Sequence, residues 1–209
     1  MPVHRIDHPL VQDALVTLRD LRTEPDEFRR TARRLSVLVA AEALRDLPTR
    51  AVVVRTPLED ASGTRIASDV VVVPVLRAGL GMLEAVLELV PGARVGHLGL
   101  QRDEATAVAS QYYAKLPRSL ESSFVLMIDP MLATGGSAVS ALDRLAEAGA
   151  TDVRIACIVA APEGIAGVQA RYPAVHIYTP AVDRALNDHK YIMPGLGDFG
   201  DRLYGTVGA

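Results

Sequence analysis

The run Val70-Val-Val-Val-Pro-Val75 sets the tightest limit on architecture. A strand with one wet face alternates apolar and polar residues. A continuous β-branched run suits a strand buried on both faces, as in a parallel sheet covered by helices on each side. Further strand-length apolar runs stand at Val95 to Leu100, Phe124 to Ile128, Val153 to Val159 and Val175 to Tyr178, with helical segments between most of them. Leu83, Val86, Leu87 and Val90 form one such segment, ended by Pro91. The expectation is an α/β fold: an open, mostly parallel sheet with helices on both faces and ligands at the carboxyl ends of the strands. A chain of 209 residues has room for one substantial core, so residues 1–209 are read as a single domain.

Ahead of that run, Leu10, Ala14, Leu18 and Leu21 fall at helical spacing, and Thr23-Glu-Pro-Asp26 resembles a capping box opening a second helix to about Leu44. Both helices are expected to precede the first strand. Arg29, Arg30, Arg33 and Arg34 draw a basic stripe on the second helix, read as a solvated or subunit-contact face. Ala51 to Pro57 and Arg65 to Ser68 read as a strand and a short return strand about a turn at Gly63. Two segments break the alternation. Gln101 to Pro117 is polar and without helical period, as befits a lid or hairpin over a site. From Thr179 to Ala209 Gly and Pro are frequent and regular elements give out, which suggests a hood over the sheet edge.

Chemistry concentrates in Phe124-Val-Leu-Met-Ile-Asp-Pro-Met-Leu-Ala-Thr-Gly-Gly-Ser137. Asp129-Pro130 stops a strand, and Val139, Leu142, Leu145 and Ala146 mark a helix that ends at Gly149. Paired glycines let backbone N–H groups converge, and the Thr134 and Ser137 hydroxyls add donors at the positive end of the helix dipole, where a phosphate monoester fits. Asp129, at the end of the strand, is suited to accept from ribose hydroxyls. The loop is not a Walker loop, because no Lys follows the Gly pair. Arg77, in Pro74-Val-Leu-Arg-Ala-Gly-Leu-Gly81, stands at another carboxyl strand end, where its guanidinium fork and the amides near Ala78 and Gly79 suit a pyrophosphate. Gly195-Leu-Gly-Asp-Phe-Gly200 formally matches a dinucleotide fingerprint, but only nine residues follow it, too few for the βαβ unit that reading needs.

Composition excludes other classes. With 49% hydrophobic and 22% charged residues the chain is globular rather than disordered, and a net charge of −3 argues against nucleic acid as the main partner. The single cysteine, Cys157, lies in an apolar run and reads as an inert core thiol. No signal-type segment or membrane-length apolar run is found, so a cytoplasmic protein without a membrane partner is expected. His4 and His8 lack the further ligands of a zinc set, and His97, His176 and His189 read as isolated.

The segment Asp129-Pro-Met-Leu-Ala-Thr-Gly-Gly-Ser137 resembles the phosphoribosyl diphosphate (PRPP) loop of uracil phosphoribosyltransferases, in the type I phosphoribosyltransferase group. Further blocks agree in the same order: His8-Pro-Leu10, Pro74 to Met82, Val95 to Leu100, Ala160-Ala-Pro-Glu-Gly-Ile165 and Ile192-Met-Pro-Gly-Leu-Gly-Asp-Phe-Gly-Asp-Arg202. The resemblance implies transfer of the phosphoribosyl group of PRPP to uracil N1, giving UMP and pyrophosphate. It implies PRPP contacts from Arg77, Arg102, Asp129, Pro130, Met131, Leu132, Ala133, Thr134, Gly135, Gly136, Ser137 and Asp198, and uracil contacts from Ile192, Gly197, Asp198 and Phe199. Asp129, Asp198 and Arg102 are the catalytic candidates. Mg²⁺ is expected as cofactor, held mainly through PRPP with no protein ligand assigned. A GTP effector and a homo-oligomer, dimer or tetramer, belong to the same expectation. The rival reading is a non-catalytic PRPP-sensing regulatory protein that binds RNA through Arg29 to Arg34; the intact uracil-side block disfavours it. The chain departs from the family pattern at Lys190, where Gly is expected, at Phe199, where Ala is commoner, and at Ala109, where a Pro is expected.

Overall fold

The computed structural model describes residues 3–102 and 109–206. In chain order the elements are β1 (Val3–Arg5), α1 (Pro9–Arg19), α2 (Pro25–Ala43), β2 (Thr49–Arg55), β3 (Asp60–Ile66), β4 (Asp69–Leu76), α3 (Leu80–Leu89), β5 (Arg94–Val95), β6 (His97–Arg102), β7 (Ala109–Lys115), β8 (Ser123–Ile128), β9 (Met131–Leu132) and α4 (Gly136–Glu147). They continue with β10 (Asp152–Ala156), β11 (Val159–Ala160), α5 (Pro162–Arg171), β12 (His176–Thr179), β13 (Ala181–Val182), β14 (Ala185–Leu186), β15 (Ile192–Met193) and α6 (Phe199–Tyr204).

The main sheet runs β1-β12-β10-β8-β4-β6-β7, with β5 also on β4. Every pairing in it is parallel except β6 with β7. The β-branched run is its central strand, and successive residues serve opposite cores. Val70 and Val72 join α1, α2 and α3 through Leu18, Leu35 and Met82. Val71, Val73 and Val75 join α4 and α5 through Leu142, Leu145 and Val168. Burial on both faces is why the run carries no polar alternation.

Several local expectations need correction. A strand, β1, precedes both helices; three residues are too few to show a period. In α1 the buried face is Val11, Ala14, Leu15 and Leu18, while Leu10 and Leu21 are exposed. No capping box forms at α2. Glu24 is the cap residue, without a side-chain bond, and the Thr23 hydroxyl instead donates to Thr17 O at 2.6 Å. Gly63 is not a turn but pairs Val52 within a regular hairpin. The hairpin turns at Thr56–Glu59, where the Thr56 Oγ1 accepts from the N–H groups of Leu58 and Glu59. The run from Val153 to Val159 is broken after Ala156: the chain leaves the main sheet and joins a small parallel sheet, β13-β11-β9.

The basic stripe is exposed, as expected of a solvated face, and its side chains also reach neighbouring groups. Arg29 donates to Leu203 O in α6, Arg33 to Glu88 in α3 and Arg34 to Asp13 in α1, while Arg30 pairs with Asp26 one turn back. The hood also holds more structure than its composition suggests, namely β13, the β14–β15 hairpin and α6. Elements of two to six residues are too short to show a period. No helix among the described residues is long and apolar enough to cross a membrane.

Candidate active site

Two turns meet at the carboxyl ends of β4 and β8. The β8–α4 turn is built on backbone. Pro130 O accepts from the N–H groups of Ile158 and Val159, both at 3.0 Å, and Leu132 O accepts from Ala161 N–H at 2.9 Å, so β9 is stitched to β11. Helix α5 then lies directly against the turn. A Cβ on Gly164 would stand 2.5 Å from Ala133 O and 2.6 Å from Leu132 O, and one on Gly167 2.9 Å from Thr134 O. Gly135 caps α4 at φ +83°, a left-handed conformation natural to glycine, and its own Cβ position is 2.7 Å from Gly164 O. The first-turn amides of α4 have no partners inside the helix, and beside them the Thr134 hydroxyl oxygen accepts from Gly136 N–H at 3.4 Å. Half-buried Thr134, Gly136 and Ser137 thus form an anion cradle at a helix N-terminus.

At the start of that turn Asp129 is only partly open to solvent. Burial pushes its carboxyl up to about 7, opposed only by the Met131 N–H at 3.4 Å. It is an acid made ready to ionise when a cation or a set of hydroxyl donors arrives.

The β4–α3 turn carries Arg77 and abuts the first. A Cβ on Gly79 would stand 2.6 Å from Ile128 O, next to Asp129. The guanidinium of Arg77 is exposed, with Nη2 3.5 Å from Asp201 Oδ1. Of the amides expected for a pyrophosphate, that of Gly79 is already committed to Val75 O at 2.8 Å.

The hood closes over this turn. Gly200 lies against Ala78, with a Cβ position 3.9 Å from the Ala78 Cβ. Asp198 caps α6 by accepting from Asp201 N–H at 2.8 Å and stays exposed beside Arg77's partner Asp201. Sequence reasoning missed what holds the hood. Arg19, in the last turn of α1, donates through both guanidinium nitrogens to the Asp183 carboxylate, at 2.8 and 2.7 Å, and through Nη1 to Gly195 O at 2.8 Å. Gly195 N–H donates to Asp183 Oδ2 at 2.8 Å. Burial alone would push the Asp183 carboxyl up, but Arg19 and the Gly195 N–H outweigh it and hold it below the usual carboxylate range. Arg202 donates to Leu196 O, Leu18 O and Asp20 O, with its guanidinium 4.6 Å over the Phe28 ring. Only the bulk of these side chains, an Arg at a helix end and an Asp in an apolar stretch, was visible beforehand.

The structure brings Arg77, Asp129, Thr134 to Ser137 and the Gly197–Phe199 turn to one side of the sheet; Ile192 enters from β15. Pro130 and Leu132 are buried props of the turn, with Met131 and Ala133 half-buried. Phe199, a uracil contact by family resemblance, is 1% exposed, and its ring meets Phe28 edge-on at 5.2 Å, so the ring is packed into the core. Arg102 ends β6, but its side chain and residues 103–108 of the expected lid lie outside the described residues. Among the described residues no three His, Cys, Asp or Glu side chains cluster as a metal cage. His176 is not isolated: its Nδ1 shares a hydrogen bond with His4 Nε2 at 2.8 Å. His8 Nδ1 accepts from Leu10 N–H as the cap of α1. Cys157 is fully buried, and burial pushes its thiol up to about 12, far from a nucleophile.

The profile of the family described as uracil phosphoribosyltransferase matches residues 5–206. A uracil phosphoribosyltransferase of Dictyoglomus turgidum is 50% identical over 202 residues, covering 96% of this chain and 98% of that protein. A solved protein structure from Aquifex aeolicus superposes with a TM-score of 0.94 at 38% identity, covering 99% of this chain and 100% of the other. A hypoxanthine phosphoribosyltransferase of Staphylococcus aureus shares the fold alone, with a TM-score of 0.52 at 12% identity, covering 80% of this chain and 85% of that one. With a family match across nearly the whole chain, and the fold of type I phosphoribosyltransferases around the two turns, the chain belongs to the uracil phosphoribosyltransferase family.

Proposed function

We propose that the chain joins uracil N1 to C1 of PRPP, releasing pyrophosphate and forming UMP. The observation that carries this reading is the meeting of three parts at one end of the sheet: the glycine-capped α4 N-terminus, the Arg77 turn and the hood turn at Gly197. The α4 cradle, with Thr134 and Ser137, takes the 5-phosphate, and Asp129 accepts from the ribose hydroxyls. Pro130 to Ala133 shape the wall between them. Arg77 meets the diphosphate, joined by Arg102. Main-chain groups of Ile192 and of Gly197 to Phe199 hold the uracil edge, with Asp198 between base and diphosphate.

The bond from C1 to the diphosphate breaks as the bond from N1 forms, the N1 proton passing to the departing pyrophosphate or to solvent; positive charge builds on the ribose while negative charge builds on the leaving group. Such a reaction needs placement and charge compensation rather than a covalent nucleophile. Arg77 and Arg102 supply cationic donors to the leaving oxygens, and ionised Asp129 fixes the ribose while facing its growing positive charge. The partly buried Asp129 carboxyl at the start of the anion cradle suits a hard divalent cation nearby; Mg²⁺ bound mainly through PRPP would neutralise diphosphate charge. A cytoplasmic location, a GTP effector and assembly as a dimer or tetramer complete the proposal from family membership.

Incubation of the protein with uracil, PRPP and Mg²⁺ should yield UMP and pyrophosphate in equal amounts. PRPP binding without UMP formation would overturn the reading.

A further inference from the structure

The hood turn that meets the base is not self-supporting. Gly195 has φ +62°, and a Cβ on it would stand 2.2 Å from Ile192 O, so the chain doubles back tightly between Ile192 and Gly195. Gly197 follows at φ +81°. Three consecutive residues, Gly195 to Gly197, therefore lie in a stretch with no strand or helix ladder to fix it. A backbone without a ladder keeps its shape only where its polar groups are otherwise bound.

Here that work falls to charged side chains, one of them, Arg19, from the other end of the chain. Both main-chain groups of Gly195 are taken by one ion pair: its N–H donates to Asp183 and its carbonyl accepts from Arg19. The next carbonyl, Leu196 O, accepts from Arg202. Asp183 is itself fixed, since its N–H donates to Ala160 O at 2.8 Å in the small sheet beside the phosphate turn. Its side chain is 7% exposed and that of Arg19 is 26% exposed, so the pair is shielded from the solvent that weakens surface ion pairs. The fork geometry, two nitrogens on two carboxylate oxygens, fixes orientation as well as distance.

We propose that Arg19 and Asp183 are positioning residues for the base: their bidentate pair clamps Gly195 and so sets where the Ile192 and Gly197 main-chain groups stand to recognise the pyrimidine edge. This deepens the function proposed above and rests on it. The clamp's side chains make no bond to the phosphate cradle, so their loss should act on the base far more than on the sugar phosphate. A merely structural pair would weaken both substrates alike.

The test compares wild type, Asp183→Asn and Arg19→Lys in steady-state assays with uracil and PRPP varied separately, alongside thermal unfolding. Asn offers Gly195 or Arg19 an amide nitrogen where a carboxylate oxygen stood, and Lys keeps the charge without the fork. The expected result for Asp183→Asn is a uracil KM raised about tenfold or more, with PRPP KM within about twofold and kcat within about threefold. Arg19→Lys should show the same split at smaller size, and cytosine should compete better in both variants. An unchanged uracil KM in both variants, or matched losses for uracil and PRPP, would overturn the assignment. If Asp183→Asn does not fold, Arg19→Lys alone decides by the same criteria. A wild-type protein that makes no UMP would instead defeat the proposed function itself, an outcome the parallel wild-type assay separates from failure of the clamp.

Discussion

The phosphate side and the base side of this site are built by opposite means. The phosphate turn is contiguous, from Asp129 to Ser137, and is held by backbone against backbone through β9, β11 and the glycines of α5. The base turn is gathered from distant parts of the chain: Arg19 in α1, Asp183 after β13 and Arg202 in α6 fix the Gly195–Gly197 stretch through side chains. One side leaves no room for an added atom at Gly135, Gly164 or Gly167. The other depends on particular charges and shapes, with Arg19 more than a hundred residues from both Asp183 and Gly195.

The largest effect is expected where backbone meets backbone. In Gly164→Ala the new Cβ would stand 2.5 Å from Ala133 O, and both contacts are main chain, so neither can swing aside. Helix α5 must move off the turn. Overpacking of this kind costs about 1–3 kcal/mol, and a displacement of about 1 Å at a substrate-positioning element can cost about 10²-fold in rate. We expect kcat/KM to fall by about two orders of magnitude with a lower Tm. Near-normal turnover would show that the glycine contacts do not hold the cradle.

Asp129→Asn should come next. It keeps the shape but removes the anionic acceptor, and kcat/KM for PRPP should fall at least about tenfold, the scale of one charge-assisted hydrogen bond. The wild-type carboxyl, raised to about 7 by burial, must lose its proton to serve the ribose. Wild-type kcat/KM for PRPP should therefore decline as pH falls through about 7, and the Asn variant should lack that limb. Stability runs the other way. Between the ordinary Asp range near 4 and about 7 the folded state holds a proton that the unfolded state has released, so folding stability drops as pH rises through that window. The Asn variant should unfold a few degrees higher at pH 8 while working worse. A pH-independent wild type would refute the role given to burial.

This contrast also explains what could be read without coordinates. The β-branched central strand announces a sheet covered on both faces, and the Asp-to-Ser turn announces an anion site, because each is encoded within a dozen consecutive residues. The blocks Ala160 to Ile165 and Ile192 to Arg202 were visible as family likeness before their work was. Gly164 proves to be the seat of α5 on the turn, and Arg202 a clamp on Leu196. The Arg19–Asp183 pair was not legible, since nothing local in a helix-end Arg or an isolated Asp names a partner 164 residues away. The same holds for the Phe199 ring, which reads as a uracil contact by family likeness yet is drawn into the core by Phe28 and Gly81.

On the base side, two substitutions separate main chain from side chain. Gly197 sits at φ +81°, a conformation that costs other residues roughly 1–2 kcal/mol, and β-branched ones most. Gly197→Val should raise the uracil KM several-fold. Ile192→Val, by contrast, trims one buried methylene and leaves the main-chain groups in place, so preference for uracil over cytosine should persist. Competition between the two bases checks this. Lost selectivity in Ile192→Val would place recognition in side chains and dissolve the distinction drawn for this turn.

The smallest expected effect lies at Lys190, where the family pattern has Gly. Lys190 ends the turn of the β14–β15 hairpin, which is closed by Lys190 N–H on Asn187 O at 2.8 Å and by Tyr191 N–H on the Asn187 side chain at 2.8 Å. Its φ of +65° lies in the left-handed region, which favours glycine at such hairpin positions. The strain for a residue with a side chain is roughly 1–2 kcal/mol, and the extra freedom glycine has in the unfolded chain returns about 0.5–1 kcal/mol of that. Lys190→Gly should therefore be stabilising by a fraction of a kcal/mol, visible as a Tm increase of about 1–3 °C for a domain of this size. Because the exposed Lys190 side chain makes no hydrogen bond or ion pair with described residues, and the hairpin register is already fixed by Asn187, uracil KM should stay within about twofold. A lower Tm would mean that the strain is relieved by neighbours. A large rise in uracil KM would mean that the base side draws rigidity from this hairpin as well as from the arginine clamps, and the two supports would then have to be separated by combining Lys190→Gly with Arg19→Lys.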